Sequence, residues 1–236
     1  SIILMGEAPS DLTGSRVAIT PDLNNDGFDD LIVGAYGEDS AAVGAGAVYV
    51  VYGPASSMNL SSANAKMVGE SASDLAGLAL AQAGDLNGDA YGDFLVGSFE
   101  ADSGSDGEGA AYVVQGPPVS GSLAGSSSKV TGINGGDNLG YAVAGGCDVN
   151  GDGFQDVILS ARYAGSNDAG AIYGMYGPLA SSGTTDNAAF ALIGESANDA
   201  AAESLALFDA NDDGVCDILV GVHKADSGLS DVGKTA

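Results

Sequence analysis

Four short segments of this chain set oxygen-bearing side chains at one fixed spacing. They read Asp22-Leu23-Asn24-Asn25-Asp26-Gly27-Phe28-Asp29-Asp30, Asp85-Leu86-Asn87-Gly88-Asp89-Ala90-Tyr91-Gly92-Asp93, Asp148-Val149-Asn150-Gly151-Asp152-Gly153-Phe154-Gln155-Asp156 and Asp209-Ala210-Asn211-Asp212-Asp213-Gly214-Val215-Cys216-Asp217. The shared form is D-x-N-x-D-G-x-x-D. Side-chain oxygens at positions 1, 3, 5 and 9, with the main-chain carbonyl of position 7, can wrap a hard cation. Calcium accepts about six to eight oxygens at ~2.3–2.6 Å, so such a loop plus a water suffices. The expected ligands are Asp22, Asn24, Asp26, the Phe28 carbonyl and Asp30, then Asp85, Asn87, Asp89, Tyr91 and Asp93. Those of the third and fourth loops are Asp148, Asn150, Asp152, Phe154 and Asp156, then Asp209, Asn211, Asp213, Val215 and Asp217. Up to four calcium ions are therefore expected. Glycine at position 6 permits the sharp turn between positions 5 and 7. The second loop has Ala90 there, so its backbone is expected to be strained or differently turned and its site the weakest.

Other ions and other turns fit less well. Magnesium demands a tight octahedron at ~2.0–2.1 Å and keeps its waters, and zinc wants His or Cys ligands. An EF-hand shares the first half of this loop but needs a bidentate Glu at position 12 and a following helix. Position 12 here is Val33, Val96, Leu159 or Val220, each inside a strand-like run. A metal-free Asp/Asn turn would explain one such segment. Four in register argue against it.

The elements that must hold these loops repeat with them. The loops begin at Asp22, Asp85, Asp148 and Asp209, at intervals of 63, 63 and 61 residues. Upstream of each lies an opener, as in Gly6-Glu7-Ala8-Pro9-Ser10-Asp11 and Gly69-Glu70-Ser71-Ala72-Ser73-Asp74. Downstream lies an apolar run, such as Leu31-Ile32-Val33-Gly34, then a Gly/Ser/Asp loop and a second run, such as Ala47-Val48-Tyr49-Val50-Val51-Tyr52. Gly-Pro closes the second run at Gly53-Pro54, Gly116-Pro117 and Gly177-Pro178. Short β-branched runs bounded by Gly, Pro, Asn and Asp are strand chemistry. Strands are expected near residues 15–20, 30–35, 47–52 and 66–68 of the first repeat. Four antiparallel strands per repeat describe a blade of a β-propeller, so the fold class is all-β. The repeats span 6–68, 69–131, 132–193 and an incomplete 194–236, with residues 1–5 as the fourth strand of a preceding or closing blade. That count favours a part of a larger propeller; the alternative is a second chain supplying the missing strand.

Composition narrows the function classes. Hydrophobic residues are 45% of the 236, aromatics 6%, and Trp is absent, so the core must rest on Val, Ile, Leu and Ala. The 38 glycines follow no G-X-Y period, which excludes collagen and favours a turn-dense fold. Thirty-two acidic against six basic residues give a net charge of −26. Nucleic acid and anionic membranes are poor partners for such a chain, and metal cations are good ones. No apolar run approaches ~18 residues, so membrane insertion is not expected. Cys147 and Cys216 lie beside the third and fourth loops, and either one bridge or two free thiols would satisfy the sequence.

The run Leu12-Thr13-Gly14-Ser15-Arg16-Val17-Ala18, the Asp22 loop and Asp30-Leu31-Ile32-Val33-Gly34-Ala35 together resemble an FG-GAP repeat. So does Asn138-Leu139-Gly140-Tyr141-Ala142-Val143-Ala144 with its Asp148 loop. This is the repeat of integrin α-subunit propellers and of many secreted bacterial proteins, and the resemblance covers essentially the whole chain. It implies a propeller, usually of seven blades, with calcium in the loop joining the first and second strands. The Phe-Gly pair is degraded to Leu12 with Gly14, Leu75-Ala76-Gly77, Leu139-Gly140 and Ala200-Ala201-Ala202. The Gly-Ala-Pro part reads Gly34-Ala35-Tyr36, Gly97-Ser98-Phe99, Ser160-Ala161-Arg162 and Gly221-Val222-His223.

The function expected first is a secreted or cell-surface calcium-binding module, an adhesion or ligand-binding scaffold for a protein or polysaccharide. Loops 36–46, 100–109, 163–169 and 224–233, at the blade end away from the metal loops, would be free for that partner. The runner-up is the propeller domain of a secreted polysaccharide- or phospholipid-degrading enzyme. Against it, His223 is the only histidine and no G-x-S-x-G elbow is present. A structural role through self-association into a filament is a third reading. Asn59-Leu60-Ser61 matches an N-glycosylation acceptor, a motif short enough to arise by chance.

Overall fold

The computed structural model describes residues 1–102, 107–179 and 181–222, and the backbone of Lys234–Thr235. Among the described residues every extended element is a strand, and helix is confined to three 3-10 turns at Leu60–Ser62, Leu123–Gly125 and Thr185–Asn187. Strand β1 is Leu4–Met5. The first blade holds β2 (Arg16–Thr20), β3 (Asp30–Ala35), β4 (Ala47–Val51) and β6 (Ala65–Val68), with β5 (Met58–Asn59) in its last connection. The second holds β7 (Ala79–Gly84), β8 (Asp93–Ser98), β9 (Ala110–Val114) and β11 (Ser128–Thr131), with β10 (Gly121–Ser122) in the matching place. The third holds β12 (Leu139–Cys147), β13 (Asp156–Ala161), β14 (Ala171–Met175) and β16 (Phe190–Ile193), with β15 (Gly183–Thr184). In the fourth, β17 (Ser204–Phe208) and β18 (Asp217–Val222) are followed by β19 (Lys234–Thr235), which pairs with Gly221–Val222. The incomplete fourth repeat therefore enters its third strand.

Each blade is an antiparallel meander, with β2-β3-β4-β6, β7-β8-β9-β11 and β12-β13-β14-β16 in spatial order. The chain is thus all-β with the blade architecture of a β-propeller. The first strands of successive blades, β2, β7, β12 and β17, lie side by side.

Side chains alternate across a strand, and in the inner strands of the second and third blades both faces are buried, each against a different neighbouring blade. The first blade's Ile32, Val48, Val50 and Met67 pack against Phe94, Val96, Tyr112 and Val114 of the second. The second blade's other face, with Leu95, Val113 and Val130, meets Val157, Leu159 and Met175 of the third. Ile158 and Ile172 of the third then meet Leu205, Leu207, Ile218 and Val220 of the fourth. Fully burying one such side chain is worth about 1.5–3 kcal/mol, so the blade interfaces are the main source of stability. Two-sided burial explains why β3 and β4 read as unbroken apolar runs.

Glycine is required where backbones of adjacent blades touch. A Cβ on Gly34 would lie 2.2 Å from the Gly77 carbonyl oxygen, and one on Gly97 would lie 2.0 Å from that of Gly140. The blades are also joined by short parallel pairings: Leu4 with Met58, Met67 with Gly121 and Val130 with Gly183. In these, β1 takes toward β5 the place that β6 takes toward β10.

Candidate metal centre

Each D-x-N-x-D-G-x-x-D segment is the turn joining the first and second strands of its blade. Position 9 begins the second strand: Asp30, Asp93, Asp156 and Asp217 are the first residues of β3, β8, β13 and β18. The turn curls because position 1 accepts its own loop's N–H groups. Asp22 accepts from Gly27 and from Asp26 (3.1 Å), and Asp85 from Gly88 (2.7 Å), Asp89 (3.1 Å) and Ala90 (2.9 Å). Asp148 accepts from Gly151 and Gly153 at 2.7 Å each, and Asp209 from Asp213 (3.1 Å) and Gly214 (2.8 Å).

Positions 3 and 5 are drawn onto the same curl. The Asn carboxamide donates to the Asp at position 5 in the first three loops, at 3.0, 2.9 and 2.9 Å. Position 5 in turn accepts the N–H of position 7, from Phe28, Tyr91, Phe154 and Val215. Positions 1, 3 and 5 are thus brought together in every loop.

Position 9 is placed differently. Asp30, Asp93 and Asp156 are wholly buried, and both carboxylate oxygens are held by main-chain donors. One oxygen accepts the N–H of position 2, from Leu23 (2.7 Å), Leu86 (2.8 Å) and Val149 (2.8 Å). The other accepts from the glycine of the Gly-Pro pair, Gly53 (2.8 Å), Gly116 (3.1 Å) and Gly177 (2.9 Å). The Gly-Pro pair is therefore a clamp on the loop as well as the end of the third strand. A Cβ on Gly53 would meet the Asp29 carbonyl oxygen at 2.4 Å, so only glycine comes close enough to donate.

Asp22, Asp148 and Asp209 titrate in the opposite direction to Asp30, Asp93 and Asp156. At Asp22 some desolvation raises the carboxyl, but the N–H groups of Gly27, Asp26, Asn24 and Asn25 outweigh it and the net pKa is lowered. Asp148 and Asp209 are lowered chiefly by the N–H groups of Gly153 and Gly214. Burial raises Asp30, Asp93 and Asp156 despite their two N–H donors, and Asp93 is pushed up to about 6. The carboxylates at positions 1 and 5 of the same loop add to the rise. Such a carboxylate gains from a nearby cation.

The donor chemistry suits a hard cation. Every side-chain donor is a carboxylate or carboxamide, and the buried carboxylate has one N–H on each oxygen, which leaves lone pairs in place. Among the described residues no three Asp, Glu, His or Cys side chains gather closely enough to hold a metal by themselves. An ion here has to draw on the carboxamide at position 3 and a main-chain carbonyl too. Ala90 has φ of +71°, the left-handed region taken by Gly27, Gly153 and Gly214 in the other loops. Of the two outcomes expected for the second loop, the backbone is strained rather than differently turned.

Some functional positions escaped the sequence reading. Position 4 is also left-handed in all four loops, at Asn25, Gly88, Gly151 and Asp212. The restriction to Asn, Gly and Asp was the visible signal. The opener aspartates Asp11, Asp74, Asp137 and Asp199 are buried turn caps, accepting from Ala8, from Glu70 and Ser71, from Asn134 and from Ser196. Lys66 sits over the Tyr49 ring and pairs with Glu7 and Glu38 at 2.9 Å each. Lys129 repeats this over Tyr112 with Glu70. Scarce cations are thus spent between carboxylates and tyrosine rings of the blades. Asn59 caps a 3-10 turn, its carboxamide oxygen accepting from Ser61 and its nitrogen donating to Gly6.

Cys147 and Cys216 form a disulfide, which settles the pairing the sequence left open. Loops 36–46 and 163–169 lie at the blade end opposite the D-x-N-x-D turns, as the register Arg16↔Gly34 against Thr20↔Asp30 requires. His223, loop 224–233 and part of loop 100–109 fall outside the described residues. Among the described residues no helix is long and apolar enough to cross a membrane.

Comparison with known proteins agrees with this architecture. The FG-GAP repeat profile matches residues 13–51 and 139–175. Integrin alpha-PS2 of Drosophila melanogaster is 34% identical over 155 residues, covering 60% of this chain and 11% of that protein. Integrin alpha-7 of Mus musculus is 32% identical over 165 residues, covering 68% of this chain and 13% of that protein. Integrin alpha-IIb of Mus musculus is 31% identical over 163 residues, covering 67% and 16%. The chain therefore spans a small fraction of the length of these relatives. Repeat period, blade topology and these matches agree that the chain is an FG-GAP repeat protein, similar over about two thirds of its length to integrin α chains.

Proposed function

We propose that this chain is an extracellular calcium-binding propeller module that presents a ligand-binding or scaffolding surface. The observation that carries the reading is the fourfold loop, with positions 1, 3 and 5 gathered at a strand turn and, in the first three copies, a buried aspartate at position 9. Asp22, Asn24, Asp26, the Phe28 carbonyl and Asp30 would hold the first ion, and the equivalent residues the other three. Bound calcium supplies positive charge to carboxylates that otherwise repel one another. Four ions would take the formal charge of −26 to −18.

The chain's own residues do the rest. Loop N–H groups favour the ionised form of Asp22, Asp148 and Asp209, and the clamp glycine orients position 9 in the first three loops. Binding to the folded loop alone then adds to folding stability. Sites of the weak extracellular class, with Kd of ~10⁻⁴–10⁻³ M, fill outside a cell and stay empty at cytosolic calcium. That, with the likeness to integrin α chains, supports an extracellular or cell-surface place and a binding rather than catalytic role. The partner expected is a protein, with a polysaccharide as the other class, bound at the blade end bearing loops 36–46 and 163–169.

Calorimetric titration of the chelator-stripped chain with calcium tests the metal reading, alongside thermal melts in calcium and in EGTA. Up to four sites and a higher melting temperature in calcium are expected. An unchanged melting temperature and no binding heat would overturn it.

A further inference from the structure

One contact recurs at each junction between neighbouring metal loops. The residue just before position 1 of one loop touches position 8 of the next. At the first junction Pro21 lies against Gly92, where an added Cβ would come 3.1 Å from the Pro21 Cβ. At the second, a Cβ on Gly84 would fall onto the carboxamide of Gln155. At the third, the same two positions are Cys147 and Cys216, joined covalently with their Cα atoms 5.9 Å apart. A main-chain bond accompanies the contact: Gly92 donates to the Asp22 carbonyl at 2.7 Å and Cys216 to the Asp148 carbonyl at 2.8 Å. The bridge thus ties the residue before Asp148 to the residue before Asp217, position 1 of one loop to position 9 of the other.

We propose that the Cys147–Cys216 disulfide is a redox-controlled clamp that sets the calcium affinity of the third and fourth loops. The proposal rests on the calcium reading above. These two loops carry seven carboxylates between them, at Asp148, Asp152, Asp156, Asp209, Asp212, Asp213 and Asp217. Without metal they repel across a junction that at the other two places has no covalent tie. The bridge keeps the loops in place before the ion arrives, so less ordering is left for binding to accomplish. Cys147 and Cys216 are both partly exposed, within reach of a reductant.

Opening takes a dithiol. One thiolate of the dithiol attacks a bridge sulfur, forming a mixed disulfide and expelling the other cysteine as a thiolate, which takes a proton. The second thiol of the dithiol, as thiolate, then displaces the remaining cysteine, which is protonated in turn. Two electrons pass to the protein, two cysteine thiols form, and the dithiol leaves as its own disulfide. Linkage makes the effect reciprocal: if oxidation tightens calcium, calcium must make the bridge harder to reduce by the same factor.

The test is calcium calorimetry on the whole chain, oxidised and after dithiothreitol, with thiols counted by mass spectrometry. Two sites are expected to keep their affinity on reduction and two to weaken by roughly tenfold, within the usual range of coupling. In Asp152→Asn the redox-sensitive sites fall from two to one, and in Asp26→Asn they stay at two. Calcium is expected to shift the dithiothreitol midpoint toward higher reductant. Four sites of unchanged affinity after verified reduction would overturn the clamp and leave the calcium reading standing. No calcium binding by the oxidised chain would overturn both. The variant Cys147→Ser/Cys216→Ser should match the reduced chain; if it fails to fold, reduction of the wild-type chain at saturating calcium followed by EGTA-driven release gives the same comparison as an off-rate.

Discussion

Substituting Asp30 by Asn separates the two roles of position 9. In the folded chain Asp30 accepts from Leu23 at 2.7 Å and from Gly53 at 2.8 Å while fully buried. Asn keeps one acceptor and turns an NH2 group toward the other donor, so one buried N–H loses its partner. A bond to a charged acceptor is worth about 1.5–3 kcal/mol. Burial raises the Asp30 pKa, so removing its charge returns part of that cost. A net loss of about 2 kcal/mol follows, roughly 4–8 °C in melting temperature for a chain of this size. It should appear in EGTA as well as in calcium, because the clamp does not need the ion. Asp26→Asn is the control, since Asp26 is exposed and keeps an oxygen for the Phe28 N–H. It should cost under about 0.5 kcal/mol in EGTA. In calcium at ten times Kd it should cost a further ~1.4 kcal/mol, the linkage term of one lost site. Thermal melts of the three proteins in both buffers measure all four differences. Asp30→Asn melting with the wild type in EGTA, or Asp26→Asn losing as much without calcium as with it, would refute the division of labour.

Ala90→Gly should raise the melting temperature by relieving a left-handed alanine, a gain of about 0.5–1 kcal/mol, and should tighten the second loop's calcium affinity; a loss on both counts would show that Ala90 is not strained. Asp93, raised to about 6 in the fold from an ordinary 3.8, stabilises the metal-free chain when protonated, and that contribution is lost as pH rises through 6. In EGTA the chain should therefore melt higher at pH 5 than at pH 7.5, and Asp93→Asn should flatten the difference; with calcium present the protons compete with the ion and the gain shrinks. Reducing the disulfide, which spans a sequence separation of 69, should cost about 4 kcal/mol by chain-entropy reckoning, read as a lower melting temperature at saturating calcium.

The repeat, its four strands and the loop positions were legible because each rests on local chemistry. Gly27 and Asp26 declare a turn within five residues, and Val48 to Val51 declare a strand without reference to anything distant. What stayed hidden depends on partners far along the chain. Gly53 looks like a strand terminator until Asp30, 23 residues earlier, is found on its N–H. Asp30 looks like an exposed ligand until Leu23 and Gly53 are seen to enclose it. Gln155 and Gly92 look like filler, because the contact at position 8 reaches the preceding blade. The unbroken apolar runs concealed which residues faced which neighbour, since two-sided burial erases the polar alternation that marks a surface strand. The opener aspartates stand out as a repeated pattern, yet a cap and a ligand use the same carboxylate and only their place in the fold tells them apart.

The parallel pairings of Leu4 with Met58, Met67 with Gly121 and Val130 with Gly183 have a consequence for unfolding. Each connection leaves its own sheet to add hydrogen bonds to the outer edge of the one before. Melting any blade therefore strips backbone partners from the blade N-terminal to it as well as its apolar cover. In nearest-neighbour terms the coupling between units is large relative to the stability of one unit alone. Hydrogen exchange should then report amides of β6 and β11 opening together with the following repeat, and the array should come apart as a block instead of blade by blade.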